Sequence, residues 1–260
     1  MQQIDFWSAN PCGAEGTFQD VYQHRYQVEP WLPADLHTLP LKEKNYLEVG
    51  CGQAVDAFYI CSYLANPEKY VAIDYSEESI NRAKSFTNDA QSIFDLKIIP
   101  TFCHGDALNL DYEDETFDVV YSNGVIHHTP DPQRGINEVY RVLRKDGCAR
   151  IYLYRKPSLK VAIAKALRAF QYGLDRITGQ ERCIYKWLQG KKSRVFGTMF
   201  LECFGVPWMA WYTKSELQHM FRQFSEVEIT PCAYNITRRR KGDARGPTPL
   251  GYMFRIHARK

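Results

Sequence analysis

The sequence predicts an α/β fold: a seven-stranded, mostly parallel sheet with an antiparallel last strand and a helical cap inserted near its end. Three observations carry this expectation. Short apolar runs alternate with helix-like stretches from residue 44 to residue 155, the pattern of a parallel sheet covered on both faces. The alternation stops at Pro157 and resumes near residue 213. The last two apolar runs are joined by a polar loop without helical period, as in an antiparallel edge pair.

The elements follow in order. Residues 1–43 form an N-terminal lid segment with Trp7, a Pro-Cys-Gly turn and the helix-like "FQDVYQHRY". The core spans residues 44–156. "NYLEVG" reads as a strand and "AVDAFYICSYLA" as a helix; "YVAID" is the next strand. "SEESINRAKSFTNDA" is a helix with Ser76 as N-cap and Glu77 and Glu78 in its first turn, where the helix dipole favours acids. "LKIIPTFCHGD" and "FDVVYSNG" each hold a strand. "DPQRGINEVYRVLRK" is a helix capped by Asp131, with Pro132 in its first turn and Ile136, Val139, Tyr140 and Leu143 on one face. "GCARIYLYR" is the fifth strand. Residues 157–212 read as the helical cap, without a clear strand, and include the amphipathic basic "LKVAIAKALRAFQYGL". Residues 213–260 complete the core with the helix "TKSELQHMFRQF" and the strands "SEVEITPCAYN" and "LGYMFRIHARK".

Bulk properties exclude several classes. A net charge of +3 over 260 residues does not by itself point to nucleic acid. No apolar run approaches the ~18 residues of a membrane span. The first residues lack a basic region followed by an apolar stretch, so no secretory signal and a cytoplasmic location are expected. Eight cysteines, at 12, 51, 61, 103, 148, 183, 203 and 232, are scattered singly without a CxxC pair. They are expected to be buried free thiols in a reducing compartment, with no metal site.

A strand, a glycine turn and a helix at residues 45–60 mark a nucleotide-type pocket. The dinucleotide pattern G-x-G-x-x-G/A fails, because the sixth position from Gly50 is Val55, where close helix packing wants a small residue. The Gly-Lys-Ser/Thr of a phosphate loop is missing as well. What remains is a turn in which Gly50 and Gly52 let the backbone approach a ligand without a Cβ in the way.

Glu48-Val49-Gly50-Cys51-Gly52-Gln53-Ala54 resembles the first motif of class I S-adenosylmethionine-dependent methyltransferases, acid-x-Gly-x-Gly-x-Gly, with Ala54 at the third glycine. Further elements fall in the family's order: "VAIDYS" with Asp74, "HGDA" with Asp106, "FDVVYSNGVIHHTPD", and "VLRKDGCARI", where Asp146 replaces a frequent glycine. The resemblance covers residues 44–155 by motif and 213–260 by pattern. It implies a Rossmann-like sheet and S-adenosyl-L-methionine as cofactor, with S-adenosyl-L-homocysteine as product. The implied cofactor residues are Glu48, Gly50, Gly52, Asp74, Tyr75, Asp106, Ala107, Asn123 and Gly124. Asp74 would accept from both ribose hydroxyls and Asp106 from the adenine amino group, although an Asp there also suits a helix cap.

His127 and His128 carry two readings: a catalytic base, since imidazole takes a proton near neutrality, or packing and capping. Tyr22 and Tyr26 are candidates for the substrate pocket, and Arg25 for a carboxylate partner; the alternative is an ordinary amphipathic lid helix. In "MFLECFGVPWMAWYT", Phe200, Phe204, Trp208, Trp211 and Tyr212 either enclose an apolar acceptor or build the core of the cap. The resemblance implies methyl transfer to an O, N or C nucleophile of a small, aromatic or lipid-like molecule. The Asn/Asp-Pro-Pro-Tyr/Phe signature of nucleobase and glutamine methylators is replaced by Ser122-Asn123-Gly124-Val125. An RNA methyltransferase using the basic cap and "RRRKGDAR", and a non-catalytic cofactor- or partner-binding protein, are the alternatives. The oligomeric state is not legible.

Overall fold

The computed structural model describes residue 7 and residues 15–189, 204–233 and 251–260. Phe200, the Arg-rich loop "RRRKGDAR", Cys12 and Cys203 lie outside the described residues. Seven strands form one sheet: β1 Asn45–Val49, β2 Lys69–Asp74, β3 Thr101–His104, β4 Phe117–Asn123, β5 Leu143–Tyr154, β6 Glu226–Cys232 and β7 Met253–Arg259. Their order is β3-β2-β1-β4-β5-β7-β6. The first five pair in parallel, and β7 runs antiparallel to both β5 and β6. The strand order reverses between β1 and β4, and open α/β sheets bind ligands at the carboxyl ends of strands flanking such a reversal.

The helices are α1 Phe18–Val28, α2 Leu32–Leu36, α3 Val55–Cys61, α4 Glu77–Ser85, α5 Thr87–Ile93, α6 Pro132–Val142, α7 Leu159–Thr178, α8 Cys183–Gln189 and α9 Lys214–Met220. The expected caps form: Ser76 accepts from the Ser79 amide, and Asp131 from the Arg134 amide with Pro132 in the first turn. Thr17 and Asp20 close α1 with reciprocal hydrogen bonds. The single helix expected over residues 76–90 is two, broken at Phe86, whose ring packs 5.6 Å from that of Phe18.

Apolar side chains fill both faces of the sheet. One face packs Phe18, Leu32, Leu36, Phe58 and Ile60 against Tyr46, Tyr121 and Tyr152. The other packs Ile136, Val139, Leu217 and Phe221 against Leu47, Val49, Val120 and Ile151. Successive strand residues point to opposite faces, so Tyr46 and Leu47 fall in different layers.

Two departures have physical causes. β5 begins at Leu143 rather than Gly147, and its early residues break register against β4. There Asp146 adopts φ +62°, a left-handed conformation that Asp tolerates better than most residues, which accounts for an acid where related motifs carry glycine. The end of the cap is no helix. Residues 206–212 form a strap across the carboxyl ends of β4 and β5: the Tyr212 amide donates to the Tyr154 carbonyl at 2.9 Å and the Ala210 amide to the His127 carbonyl at 2.8 Å.

Candidate active site

At the carboxyl end of β1 the chain turns sharply. Gly50 has φ +80°, and a Cβ placed there would lie 2.1 Å from a Val125 methyl. The amides of Gly50 and Cys51 both donate to the Ile73 carbonyl, at 2.8 and 2.9 Å. The Gly52 amide donates to Asp74 Oδ2 at 2.8 Å and the Ser76 amide to Asp74 Oδ1 at 2.9 Å. Each Asp74 oxygen retains a lone pair for a further donor. Burial raises the Asp74 pKa above its ordinary value, against the pull of these amides.

This turn lies in a cavity of about 470 Å³, within the roughly 300–1,000 Å³ of small-molecule sites. Gly50, Gly52, Asp74, Tyr75, Asp106, Ala107, Asn123 and Gly124 all line it. Asp106 serves two purposes, since its Oδ1 also accepts from the Leu108 amide at 2.8 Å. Ser76, Ser79 and Val125 line the cavity too and were not singled out from sequence, although Ser76 was legible as a helix cap.

A second cavity of about 200 Å³ opens from the same turn. Trp7, Gly50, Gly52, Asn123, Gly124 and His128 line both. Glu48 faces the second cavity, where it accepts from the Tyr70 hydroxyl at 2.7 Å. Burial, with Asp56 nearby, pushes Glu48 up to about 8. Two residues that line the cavities each hold a buried amide atom, Asn123 Nδ2 and Gln53 Oε1, with no hydrogen-bond partner among the described residues. Such orphaned groups are costly unless a ligand or water satisfies them.

Several sequence expectations are corrected. His127 is fully buried and is not among the described residues lining either cavity. Its ring packs 4.0 Å from that of Tyr154 and 4.2 Å from that of His128, and neither nitrogen has a partner among the described residues. Burial holds its pKa well below the usual histidine range. His128 does reach the cavities. Its Nδ1 lies 3.1 Å from the Trp208 carbonyl; a carbonyl only accepts, so Nδ1 carries the proton and Nε2 is the basic nitrogen.

Tyr22 and Tyr26 line neither cavity among the described residues. They share one face of α1 at i, i+4 spacing and pack on Phe94 and Tyr59, with ring centroids 5.3 and 5.1 Å apart. The adjacent face, with Val21, His24, Arg25 and Val28, lines the second cavity instead. Arg25 is held inside the chain: its Nη2 donates to Asp56 at 2.8 Å and its Nη1 to Glu29 at 2.6 Å. On the strap, Trp208 lines the larger cavity, while Trp211 turns with Met209 to a small niche that shares Tyr154, Lys160 and Tyr252 with the second cavity, and Lys165 Nζ sits 4.7 Å from its ring. Lys160, Tyr154 and Tyr252 line the second cavity and went unnoticed in the sequence. Ser158 caps α7 and so sets Lys160 in its first turn.

Residues 40–223 match the family described as the methyltransferase domain. The chain belongs to this family of S-adenosylmethionine-dependent methyltransferases, whose cofactor is S-adenosylmethionine. It is 37% identical over 117 residues to 2-methyl-6-phytyl-1,4-hydroquinone methyltransferase 2 of Oryza sativa subsp. japonica, a match covering 45% of this chain and 30% of the relative. It is 34% identical over 110 residues to 27-O-demethylrifamycin SV methyltransferase of Amycolatopsis mediterranei, covering 42% of this chain and 38% of the relative. These matches span well under half the length of either relative. A SAM-dependent methyltransferase from Thermotoga maritima superposes with a TM-score of 0.61 at 17% identity, over 94% of this chain and 96% of that one, and shows the shared fold.

Proposed function

We propose that the chain transfers a methyl group from S-adenosylmethionine, bound in the larger cavity, to a nucleophile of a small, largely apolar molecule in the second. One observation carries the reading: the two cavities meet over a shared floor of Gly50, Gly52, Asn123, Gly124 and His128. The residues present fit the cofactor. The Gly50 turn has no room for a side chain, Asp74 offers two oxygens to a ribose diol, and Asn123, whose buried Nδ2 has no partner among the described residues, lines both cavities. Asp106, at the far side of the larger cavity, is assigned to the adenine amino group.

S-adenosylmethionine supplies an activated methyl, so the protein's contribution is alignment, desolvation and proton handling. His128 Nε2 accepts the proton that an acceptor hydroxyl or amine releases, with Nδ1 held by the Trp208 carbonyl. Lys160 brings a cation to the second cavity beside Tyr154 and Tyr252, its Nζ 3.9 Å from the Tyr252 ring. A cation there favours an acceptor oxygen that develops negative charge.

The apolar and aromatic wall (Trp7, Val28, Tyr154, Val206, Tyr252 and Met253) favours an aromatic or lipid-like acceptor. The rice relative's hydroquinone substrate supports the same class. The test is transfer of labelled methyl from S-adenosylmethionine to a panel of hydroquinones, phenols and lipid amines. Transfer to a hydroquinone or phenol, slowed in Lys160→Ala, is the expected result. Transfer confined to amines, unaffected by Lys160→Ala, would remove the oxygen-acceptor reading.

A further inference from the structure

Helix α7 is apolar on the side that faces water. Its inner face is accounted for: Val161 and Ala164 are buried, and Gln171 is tied by its Nε2 to the Phe204 carbonyl at 2.9 Å and by its Oε1 to the Tyr185 amide at 3.2 Å. The opposite face carries Leu159, Ile163, Ala166, Phe170, Gly173 and Ile177. Their spacing of four, three, four, three and four residues keeps them on one line in a helix of 3.6 residues per turn, roughly 27 Å long. Leu159 is 64% exposed, Ile163 45%, Phe170 61% and Ile177 82%. At Gly173 a Cβ would meet nothing within 4 Å. An ordinary surface helix turns its polar side to water. Scattered apolar residues need no explanation, but a continuous apolar line does.

The charge around this line is one-sided. Residues 155–189 hold eight Lys and Arg against Asp175 and Glu181, while the rest of the chain has twenty-five against twenty-eight. Arg176 flanks the line and Lys186 is exposed on the next helix, whereas Lys160 and Lys165 turn inward, to the second cavity and to Trp211. Tyr172 and, on the next helix, Trp187 are also largely exposed; these are side chains suited to an apolar–water boundary.

We propose that this outward face of α7 docks on an anionic lipid bilayer. The apolar line enters the headgroup boundary, and Arg176 and Lys186 meet the lipid phosphates. Self-association through the same face would bring two strongly basic segments together, which like charge opposes. An RNA surface offers nothing to an apolar centre. The inner turn of the same helix carries Lys160 to the second cavity, so docking sets that cavity beside the bilayer. The proposal concerns where the protein works and does not depend on the identity of the acceptor.

The test is flotation of the full chain with vesicles of phosphatidylcholine alone or of phosphatidylcholine and phosphatidylglycerol in equal parts. Binding to the mixed vesicles only, weakened by salt, is expected. The double substitution Ile163→Asp/Phe170→Asp should weaken it by about tenfold or more, and Arg176→Glu by a smaller factor, while S-adenosylhomocysteine affinity stays unchanged. Should the double variant lose that affinity and so fail to fold, Ile177→Asp at the exposed end of the helix takes its place. Failure to float with anionic vesicles, or equal binding by wild type and these variants, would overturn the proposal. So would a dimer that Ile177→Asp dissociates without any effect on vesicle binding.

Discussion

The Gly52 amide donates to Asp74 Oδ2 at 2.8 Å. This bond joins the glycine turn after β1 to the acid that ends β2, so that two stretches 22 residues apart act as one binding element. Asp74→Ala removes both this bond and that from the Ser76 amide, along with the two oxygens offered to the cavity. Because hydrogen bonds to charged groups contribute about 1.5–3 kcal/mol each, S-adenosylhomocysteine affinity should fall roughly 100-fold or more. Asp74→Asn, which keeps one acceptor, should fall between. Calorimetric titration measures both.

Gly50 cannot be replaced without moving Val125. A Cβ at this position would stand 2.1 Å from a Val125 methyl on a backbone at φ +80°. Gly50→Ala should cost roughly 2–5 kcal/mol from left-handed strain and overpacking together, read as a lowered thermal midpoint. A Gly50→Ala/Val125→Ala double variant should recover part of the loss, because the clash is with that side chain.

The two adjacent histidines should respond differently to substitution. His128→Phe removes the imidazole of a residue that lines both cavities and should lower kcat at least about tenfold, with KM for S-adenosylmethionine changed less. His127→Phe replaces a buried ring with no polar partner among the described residues. Its stability should stay within about 1.5 kcal/mol of wild type and its turnover within a few-fold, measured by denaturant titration and steady-state kinetics.

Glu48 and His127 give stability opposite pH slopes. Glu48 titrates near 8 in the folded chain against an ordinary value of 4.5, so the folded state holds the extra proton between those limits. Its contribution is complete below about 4.5 and is lost as pH rises toward 8. His127, depressed by burial below 6.5, contributes fully above that value, and the contribution is lost as pH falls below it. Glu48→Gln should flatten the decline on the alkaline side, and His127→Phe the decline on the acid side, in urea unfolding curves taken from pH 5 to 9.

Much of the larger cavity was legible because its residues sit at strand ends, where position along the chain fixes position in space. Asp74, Asp106 and Asn123 are such residues and border it, whereas Glu48, predicted with them, faces the second cavity. The acceptor side was legible only coarsely. On α1 a shift of one residue rotates a side chain by about 100°, which separates Arg25, on the cavity, from Tyr26, against Tyr59. The strap after the cap was expected to be helical, so nothing in its sequence distinguished Trp208 from Trp211. His127 and His128 parted because the turn Ile126–His128 aims consecutive side chains differently, one into the core and one toward Trp208.

The central claim is that the cavity at the β1–β4 reversal is an S-adenosylmethionine site built on Asp74. Titration of the purified chain with S-adenosylhomocysteine, beside Asp74→Ala and with NADH as control, tests it most directly. One-to-one binding to wild type, affinity lowered roughly 100-fold or more in Asp74→Ala, and no heat from NADH are expected. Binding of S-adenosylhomocysteine to Asp74→Ala with wild-type affinity, or no binding to wild type at all, would contradict that claim.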